Sequence, residues 1–285
     1  MDTYTVLIPV YNQHFELQML LECLTKQTVQ PESIIVVDDG TDIARERLQA
    51  ICREYRNYFG NLDYISIGIH GAKWFTKSQA YNEGIGYVQT PYVSIIDADS
   101  LLMPDYHERC LEALEDVPSA ITVPIRVEPA PNKDSHNKDI KNLLESWHTG
   151  SWSHCTNWVL GNSRSNNWSY RKNYHSAHLG STQGCNVMKT DRAQKVRWSD
   201  IMGWGGEDED FLLRCVIDGG VILYFHDIEV AHTCPYESST ILRWGKEKRI
   251  ENREELMPKF NRRVNQWEKK LVLLNESLDI SSGSR

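Results

Sequence analysis

Two aspartates separated by one residue follow an apolar run and could hold a divalent cation. Asp97 and Asp99 come directly after Tyr92–Ile96, whose sequence YVSII is typical of a buried strand. Residues i and i+2 of an extended chain point to the same side, so the two carboxylates should leave the strand end together. Carboxylate oxygens suit Mg²⁺ or Mn²⁺, which often bridge to substrate phosphates. Many surface loops contain the same pattern, and it is the position directly after a strand that favours a metal site.

A second acidic cluster follows a glycine-rich turn at residues 203–210, with the sequence GWGGEDED. Acidic side chains stabilise the first turn of a helix, and this structural interpretation accounts for Glu209 and Asp210. It does not account for a tryptophan between glycines, which indicates a close backbone approach and an exposed ring. A carboxylate of this cluster, directed into a cleft, could accept a proton from an attacking hydroxyl.

His232 follows a strand in the sequence VAHT, six residues after His226. A lone histidine is commonly structural. Imidazole is also a good ligand for Mn²⁺-like ions, so His232 could complete a coordination shell that begins with Asp99.

The elements that must position these residues alternate between strand and helix. Apolar runs predict strands at 4–10, 33–37, 62–68 and 92–96, with helical segments at 15–26, before Tyr58 and at 78–88. Continuous apolar strands separated by helices predict a parallel sheet that is covered on both faces. Ligands of such sheets bind beyond the carboxyl ends of the strands. The polar residues at three strand ends should therefore line one cleft: Tyr11-Asn12, Asp38-Asp39 and Asp97-x-Asp99.

The second half of the chain is less regular. The pattern predicts a strand at 182–188, a helix within 203–220, a strand at 221–225 and an amphipathic helical tail at 239–278. Residues 129–173 are rich in Asn, Ser, His, Trp and Pro, with one predicted helix at 139–147, and so long an aperiodic stretch is usually functional or mobile. Its aromatic side chains could stack on sugar rings or serve as local packing anchors.

Composition limits the class of protein. With 285 residues, 40% hydrophobic and 25% charged, the chain can build one large α/β domain or two packed lobes. A net charge of −8 argues against general nucleic-acid binding. No apolar run reaches the roughly 18 residues of a membrane span, and the N-terminus lacks the basic start of a signal peptide. Seven cysteines without C-x-x-C spacing predict buried, reduced thiols in a cytoplasmic protein.

The tail differs from the rest in charge. Residues 243–270 hold ten Lys and Arg against five Asp and Glu, together with Trp244 and Trp267. Such a segment could contact an anionic membrane surface, which would place the protein peripherally at the inner membrane face. Alternatively it is a solvated helix that packs on the domain through its apolar side.

The motifs occur in a characteristic order: PVYN at 9–12, VDDGT at 37–41, KSQAYNEG at 77–84, Asp97-x-Asp99, GWGGEDED and His232. In this order they resemble the inverting GT-A-fold glycosyltransferases of family 2 over roughly residues 1–235. Residues 182–233 are also similar to the β-1,4-galactosyltransferases and to the galactosaminyl domains of chondroitin-type polymerases.

The resemblance implies an α/β fold of the Rossmann-like nucleotide-diphospho-sugar transferase type, with a mostly parallel central sheet and flanking helices. Residues 1–100 would form the donor-binding half and residues 101–235 the acceptor-binding and catalytic half of the same domain. A helical extension would follow at 236–285.

The resemblance also implies roles on the nucleotide side of the cleft. Pro9 and Tyr11 would flank the uracil, with Tyr11 stacked on it. Asp39 would bind the uracil edge, and Asp38 is the less favoured choice. Lys77 would lie near the phosphates, in the same segment as Asn82. Members of this family often carry arginine where this chain has Tyr81, so the phosphate contact of that arginine is not carried over.

On the sugar side, the resemblance implies that Asp97 touches the ribose or the donor sugar and that Asp99 and His232 bind the metal. Trp204 and Gly205 would shape the sugar pocket. Glu207 would hold donor or acceptor hydroxyls, and Asp208 would be the general base.

These roles predict a Mn²⁺- or Mg²⁺-dependent transfer of a hexose or N-acetylhexosamine from a UDP-sugar to a glycan, a glycolipid or another hydroxyl acceptor. Inversion needs no covalent intermediate, and the chain has no G-x-S-x-G nucleophile motif. Two alternatives remain open. A nucleotidyltransferase would want a glycine- and basic-rich signature near the first strand, where this chain has PVYN. A non-catalytic carbohydrate-binding module would leave both acidic motifs without a role.

Overall fold

The computed structural model describes residues 3–40, 45–68, 76–127, 184–199 and 207–232. The strands are β1 (Tyr4–Val10), β2 (Ser33–Asp38), β3 (Leu62–Ser66), β4 (Tyr92–Ile96), β5 (Ser100–Leu102), β6 (Ala120–Val127), β7 (Cys185–Lys189) and β8 (Val221–His232). The helices are α1 (His14–Thr25), α2 (Arg45–Phe59), α3 (Lys77–Ile85), α4 (Tyr106–Asp116), α5 (Thr190–Val196) and α6 (Glu207–Ile217).

The strands of the described residues form one sheet in the order β3-β2-β1-β4-β7-β6-β8-β5. In the first half, β1 pairs in parallel with both β2 and β4, and β2 pairs in parallel with β3. In the second half β7 runs antiparallel to β4 and β6, β8 is parallel to β6, and β5 is antiparallel to β8. Only β5 and β7 thus oppose the common direction of the described strands, which confirms the predicted α/β architecture with a mostly parallel sheet.

Successive residues of the central strands point to opposite faces of the sheet and build two cores. Val6 and Ile8 of β1 pack in the cluster that includes α1, α2 and α4. Leu7 lies on the other face, in the cluster that includes α3, α5 and α6. A side chain at Gly84 would overlap Leu7 and Val37, so glycine at this position lets α3 lie directly on the sheet.

A buried histidine joins helix α4 to the sheet. The imidazole of His107 is fully buried, with Nε2 2.9 Å from Ser94 Oγ and Nδ1 2.8 Å from Gln27 Oε1. The ring stacks on Tyr4 with the centroids 4.4 Å apart. Burial lowers the pKa of His107 to about 3, so the ring is neutral at physiological pH.

Several predicted elements are confirmed, and others were missed. Strand β8 runs to His232 rather than ending at residue 225, and β5, α4, β6 and α5 were not predicted. The predicted helices at 139–147 and 239–278 lie outside the described residues, and the division into donor and acceptor halves stays a prediction. Five cysteines in the described ranges are buried thiols outside any disulfide, as expected: Cys23, Cys52, Cys110, Cys185 and Cys215. Within these ranges no helix is both long and apolar enough to cross a bilayer.

Candidate active site

The polar residues at the carboxyl ends of the parallel strands lie beside one another, because β2, β1 and β4 are neighbours in the sheet. Strand β1 leads into the partly exposed Tyr11 and into Asn12, which has a positive φ of 54°. Asparagine tolerates this left-handed conformation better than most residues, and here it turns the chain sharply towards α1. Pro9 is buried within β1, opposite Val37 of β2.

The centre of the site is the ammonium group of Lys77, in the first turn of α3. Its Nζ lies 2.8 Å from Asp97 Oδ1, 3.3 Å from Glu207 Oε1 and 3.2 Å from Asp208 Oδ2. Lys77 is 5% exposed, Glu207 3% and Asp208 7%. We call these four residues the Lys77 cluster. It joins the end of β4 to the first turn of α6 and therefore brings together side chains that lie 131 positions apart in sequence.

Burial and the charges of the cluster shift the pKa values of Asp208 and Lys77. Burial is the largest influence on Asp208 and raises its pKa; Lys77 opposes the shift, Glu207 and Asp97 reinforce it, and the resulting pKa is about 8. Burial alone would lower the pKa of Lys77, but the attraction of Asp208 and Asp97 outweighs it and the pKa is raised. The lysine therefore stays charged, while Asp208 has the elevated proton affinity expected of a group that takes up a proton.

Asp97 is fixed by further contacts. The hydroxyl of Tyr81 donates a hydrogen bond of 2.9 Å to Asp97 Oδ1, and the backbone N–H of Asp97 donates one of 2.6 Å to the carbonyl of Gly184. Gly184 has a φ of 63°, and a Cβ there would overlap the Asp97 carboxylate. Glycine is therefore required at this position by both backbone conformation and close approach.

Asp39 anchors the start of α3. Its carboxylate accepts hydrogen bonds from the backbone N–H of Thr76 and, at 2.6 Å, from the Thr76 hydroxyl. Burial raises the pKa of Asp39 to about 6, although both bonds from Thr76 lower it and nearby Asp38 raises it further. Asp38 is fully buried and accepts a hydrogen bond of 2.5 Å from the hydroxyl of Tyr64.

Asn82 is engaged away from the Lys77 cluster. Its side-chain amide donates a hydrogen bond of 2.8 Å to the carbonyl of Trp198 and accepts one of 2.8 Å from the N–H of the same residue. Asn82 was assigned to nucleotide binding, and in the structure its amide holds the backbone that follows α5.

Of the two predicted metal ligands, Asp99 directly precedes β5 and His232 is the last residue of β8, the neighbour of β5 in the sheet. In the antiparallel pairing of β5 with β8, His232 lies opposite Ser100, the residue after Asp99. The side chain of His232 lies outside the described part of the structure, as do Trp204 and Gly205. Among the side chains that are described, no group of three or more His, Cys, Asp or Glu encloses a position for a metal ion.

Three residues that shape the site were not predicted from the sequence: Thr76, Gly184 and, as a contact of Asp97, Tyr81. Tyr81 was noted only because members of the resembling family often carry arginine at this position. Its place one helical turn after Lys77 was an available signal, because residues i and i+4 share a helix face. The contacts of Thr76 and Gly184 are made across the fold, and the local sequence holds no sign of them.

Known proteins with similar sequences include glycosyltransferases and a chondroitin synthase. The family model described as "Glycosyl transferase family 2" matches residues 5–180. The glycosyltransferase GlyA of Streptococcus pneumoniae is 31% identical over 123 residues, which are 43% of this chain and 16% of that protein. The chondroitin synthase of Escherichia coli is 26% identical across 92% of this chain and 39% of its own length. The chain thus spans well under half the length of both relatives.

Solved structures resemble the fold at low sequence identity. TarS 1–349 of S. aureus, in complex with UDP-GlcNAc, has a TM-score of 0.54 at 16% identity and covers 84% of this chain and 62% of its own. GalNAc-T7, with UDP, GalNAc and Mn²⁺, has a TM-score of 0.56 at 12% identity and covers 81% of this chain and 43% of its own. These similarities confirm the predicted GT-A-type fold.

Proposed function

Because the chain belongs to glycosyl transferase family 2, we propose that it is a metal-dependent, inverting glycosyltransferase. It moves a hexose or an N-acetylhexosamine, of the Gal, GalNAc or GlcNAc type, from a UDP-sugar to a hydroxyl of a glycan or glycolipid. The observation that carries the proposal is the Lys77 cluster, in which one buried ammonium joins a strand-end aspartate to the two carboxyl groups that begin α6.

The transfer is a single displacement. The acceptor oxygen attacks the anomeric carbon from the side opposite the diphosphate, and its proton passes to Asp208. The new C–O bond forms as the bond to the diphosphate breaks, and the electron pair of that bond leaves with the UDP. The raised pKa of Asp208 supports this role, because a base whose pKa lies near the working pH keeps an unprotonated fraction and still has a high affinity for the proton of an alcohol. Glu207, beside it on α6, would hold sugar hydroxyls.

The charge of the site supports a divalent cation. Asp97, Asp99, Glu207 and Asp208 bring four carboxyl groups to this edge of the sheet, and Lys77 brings one ammonium group. A diphosphate would be repelled by this balance, and Mn²⁺ or Mg²⁺, for which Asp99 and His232 would be the ligands, would offset it. When bound, such an ion supplies positive charge for the leaving diphosphate. Lys77 itself would move from the carboxylates to the phosphates when the donor enters.

The nucleotide would lie across the ends of β1 and β2. The ring of Tyr11 is partly exposed at that edge and would stack on the uracil, beside the backbone of Pro9. Asp39 would accept a hydrogen bond from the uracil edge, and Asp97 would contact the ribose or the sugar. Trp204 and Gly205 would complete the sugar pocket. Contact of the basic tail with a membrane remains a prediction from the sequence.

Release of UDP tests the proposal. The native chain, incubated with Mn²⁺ and a panel of UDP-sugars, should release UDP from at least one of them, and Asp208→Asn should lower that rate about 10²- to 10⁴-fold. Asp191→Asn makes the same change in the first turn of α5, where the side chain is exposed, and should keep the native rate. Equal rates for native and Asp208→Asn would remove Asp208 as the base. No release from any UDP-sugar would contradict the proposed activity.

A further inference from the structure

Tyr81 contacts two members of the Lys77 cluster, Asp97 and Lys77. Its hydroxyl donates to Asp97 Oδ1 at 2.9 Å, and its ring lies 5.5 Å below the ammonium of Lys77. On its other side the ring stacks on Trp198, with the centroids 4.5 Å apart and the planes inclined by 23°. Tyr81 is fully buried, so the hydroxyl and the ring are held at the same time.

The stack continues to the helix that carries the acidic residues. The rings of Trp198 and Phe211 are stacked and nearly parallel, with the centroids 3.8 Å apart and an angle of 8° between the planes. Phe211 follows Glu207 by four residues and Asp208 by three, so it lies one turn further along the same side of α6. Tyr81, Trp198 and Phe211 therefore form an aromatic column from α3 to the first turns of α6.

The middle member of the column is fixed to both helices. The amide of Asn82 holds the backbone of Trp198 with two hydrogen bonds of 2.8 Å. The guanidinium of Arg214, on α6, donates a bond of 2.9 Å to the carbonyl of Val196, two residues before Trp198. A shift of α6 relative to α3 would therefore break stacking and hydrogen bonds together.

We propose that Tyr81 is a positioning residue for the transfer reaction: its hydroxyl sets the orientation of Asp97, and its ring, through the aromatic column, sets the position of Glu207 and Asp208 relative to Lys77. This inference rests on the proposed glycosyltransferase function. It assigns a role to the residue that stands where the resembling family often has arginine. Tyrosine adds no positive charge for phosphates, and instead supplies one hydrogen-bond donor and one flat surface.

The chemistry explains why this orientation matters. Lys77 approaches both oxygens of Asp97, at 2.8 Å and 3.1 Å, and Tyr81 donates to the one that is closer to the ammonium. Without the phenol, the carboxylate could rotate towards Lys77 as that lysine is drawn to the diphosphate. The donor sugar would then be held less well for in-line attack, and a misplacement of about 1 Å can cost as much as 10²-fold in rate.

The test distinguishes the effect of the Tyr81 hydroxyl on catalysis from an effect on folding. Tyr81→Phe keeps the ring and removes the donor, and we expect kcat for the UDP-sugar to fall about 10-fold or more while the affinity for UDP stays at the native value. Tyr4→Phe is the matched control, because Tyr4 is equally buried and its hydroxyl donates 2.7 Å to the carbonyl of Val29 at the other end of β1. It should keep the native kcat. Native kcat in Tyr81→Phe would overturn the proposal.

A double-mutant cycle shows whether Tyr81 acts through Asp97. If it does, the double variant Tyr81→Phe with Asp97→Asn should be no worse than Asp97→Asn alone, because neighbouring residues that act together are not additive. Full additivity of the two losses would reduce Tyr81 to a structural residue and overturn the proposal. If Asp97→Asn turns over too slowly for kcat to be measured, the affinities for UDP-sugar and for UDP are measured for all four proteins of the cycle. The ratio of the two affinities then takes the place of kcat.

A variant of the column tests its other end. Phe211→Leu leaves every polar group of the site in place and should lower kcat without changing the affinity for UDP, whereas Phe59→Leu, on α2 and away from the site, should change neither. Native kcat in Phe211→Leu would overturn the role of the column. Absence of UDP release by the native chain would instead contradict the proposed function, so the two failures are distinguishable.

Discussion

At the scale of single residues, His107 makes the stability of the fold depend on pH. Its pKa is lowered to about 3 by burial, from about 6.5 in an unfolded chain. Between these values the unfolded chain binds a proton that the folded chain does not, so stability falls as the pH falls, by about 1.4 kcal/mol per pH unit.

We therefore expect the free energy of unfolding in urea to fall more steeply between pH 6.5 and pH 4.5 for the native chain than for His107→Gln. The comparison isolates His107, because the raised pKa values of Asp39 and Asp208 act in both proteins and in the opposite direction. Identical pH dependence would contradict the prediction. An NMR titration of the imidazole in the native chain checks it independently, since the ring should stay neutral down to about pH 4.

The type of a residue predicted the chemistry it could perform better than it predicted which residues it contacts. Asp97, Glu207 and Asp208 were expected at one site with Lys77; the structure brings the four side chains into contact, and their roles stay predictions. Asn82 was expected at the nucleotide; in the structure its amide holds the backbone of Trp198, and the nucleotide contact stays a prediction. An amide can bind any donor or acceptor within reach, so its residue type does not reveal whether the partner is a ligand or a distant part of the backbone.

At the scale of elements, the first turn of α3 depends on strand β2. Thr76 precedes the helix, but its hydroxyl does not cap the helix and donates to Asp39 instead. The next residue along the chain is Lys77, so the bond between Thr76 and Asp39 also fixes where the ammonium of the site begins.

Thr76→Val keeps the shape and the backbone N–H but removes the hydroxyl, and we expect the free energy of unfolding to fall by about 1 kcal/mol. The KM for the UDP-sugar should rise as well, because Lys77 is less firmly placed. Thr25→Val removes a comparable bond, of 2.8 Å to the carbonyl of Glu22 at the end of α1, and should lower stability without changing KM. The prediction is wrong if both variants change KM equally.

Elements with a continuous apolar pattern were predictable, and those with interrupted patterns were not. Strand β1 was predicted at its observed bounds, as was β4. Strand β6 has the sequence AITVPIRV, and its pairing with β8 shifts register between Val123 and Ile125, around the proline. Proline lacks the N–H that donates hydrogen bonds between strands, so Pro124 argues against a strand in the sequence. The pairing with β8 nevertheless stabilises one. In the later part of β8, polar residues such as His226 and Asp227 interrupt the apolar pattern, so this part of the strand was not predicted.

At the scale of the whole molecule, the site exists because one sheet carries both halves of it. Lys77 comes from the helix between β3 and β4, and Asp208 from the helix that precedes β8. The alternation of strands and helices predicted a cleft at the carboxyl ends. Strand β7 joins the two halves through its pairing with β4 and β6, but its reversed direction has no signature in the sequence. Only the order of motifs in the family resemblance connected the two halves in advance.

A ligand that binds across both halves should stabilise the whole fold. Binding to the folded state alone raises the free energy of unfolding by about 2.7 kcal/mol at a ligand concentration of 100 Kd. We expect UDP together with Mn²⁺ to raise the melting temperature of the native chain, and chelation of the metal with EDTA to reverse most of the gain. Uridine with Mn²⁺ is the matched ligand control: without a diphosphate to bridge the cation it should stabilise much less.

Asp99→Asn connects this effect to the candidate metal position. The variant removes the charge of one carboxylate at the start of β5, so the gain in melting temperature from UDP and Mn²⁺ should shrink towards that from UDP alone. Asp105→Asn, at the residue before α4, changes an acidic side chain on the same segment and should keep the native gain. A full gain in Asp99→Asn would show that the cation, if it binds, is held without Asp99. The cation would then have to be held by other carboxyl groups at this edge, such as Asp97 and Glu207, in place of Asp99.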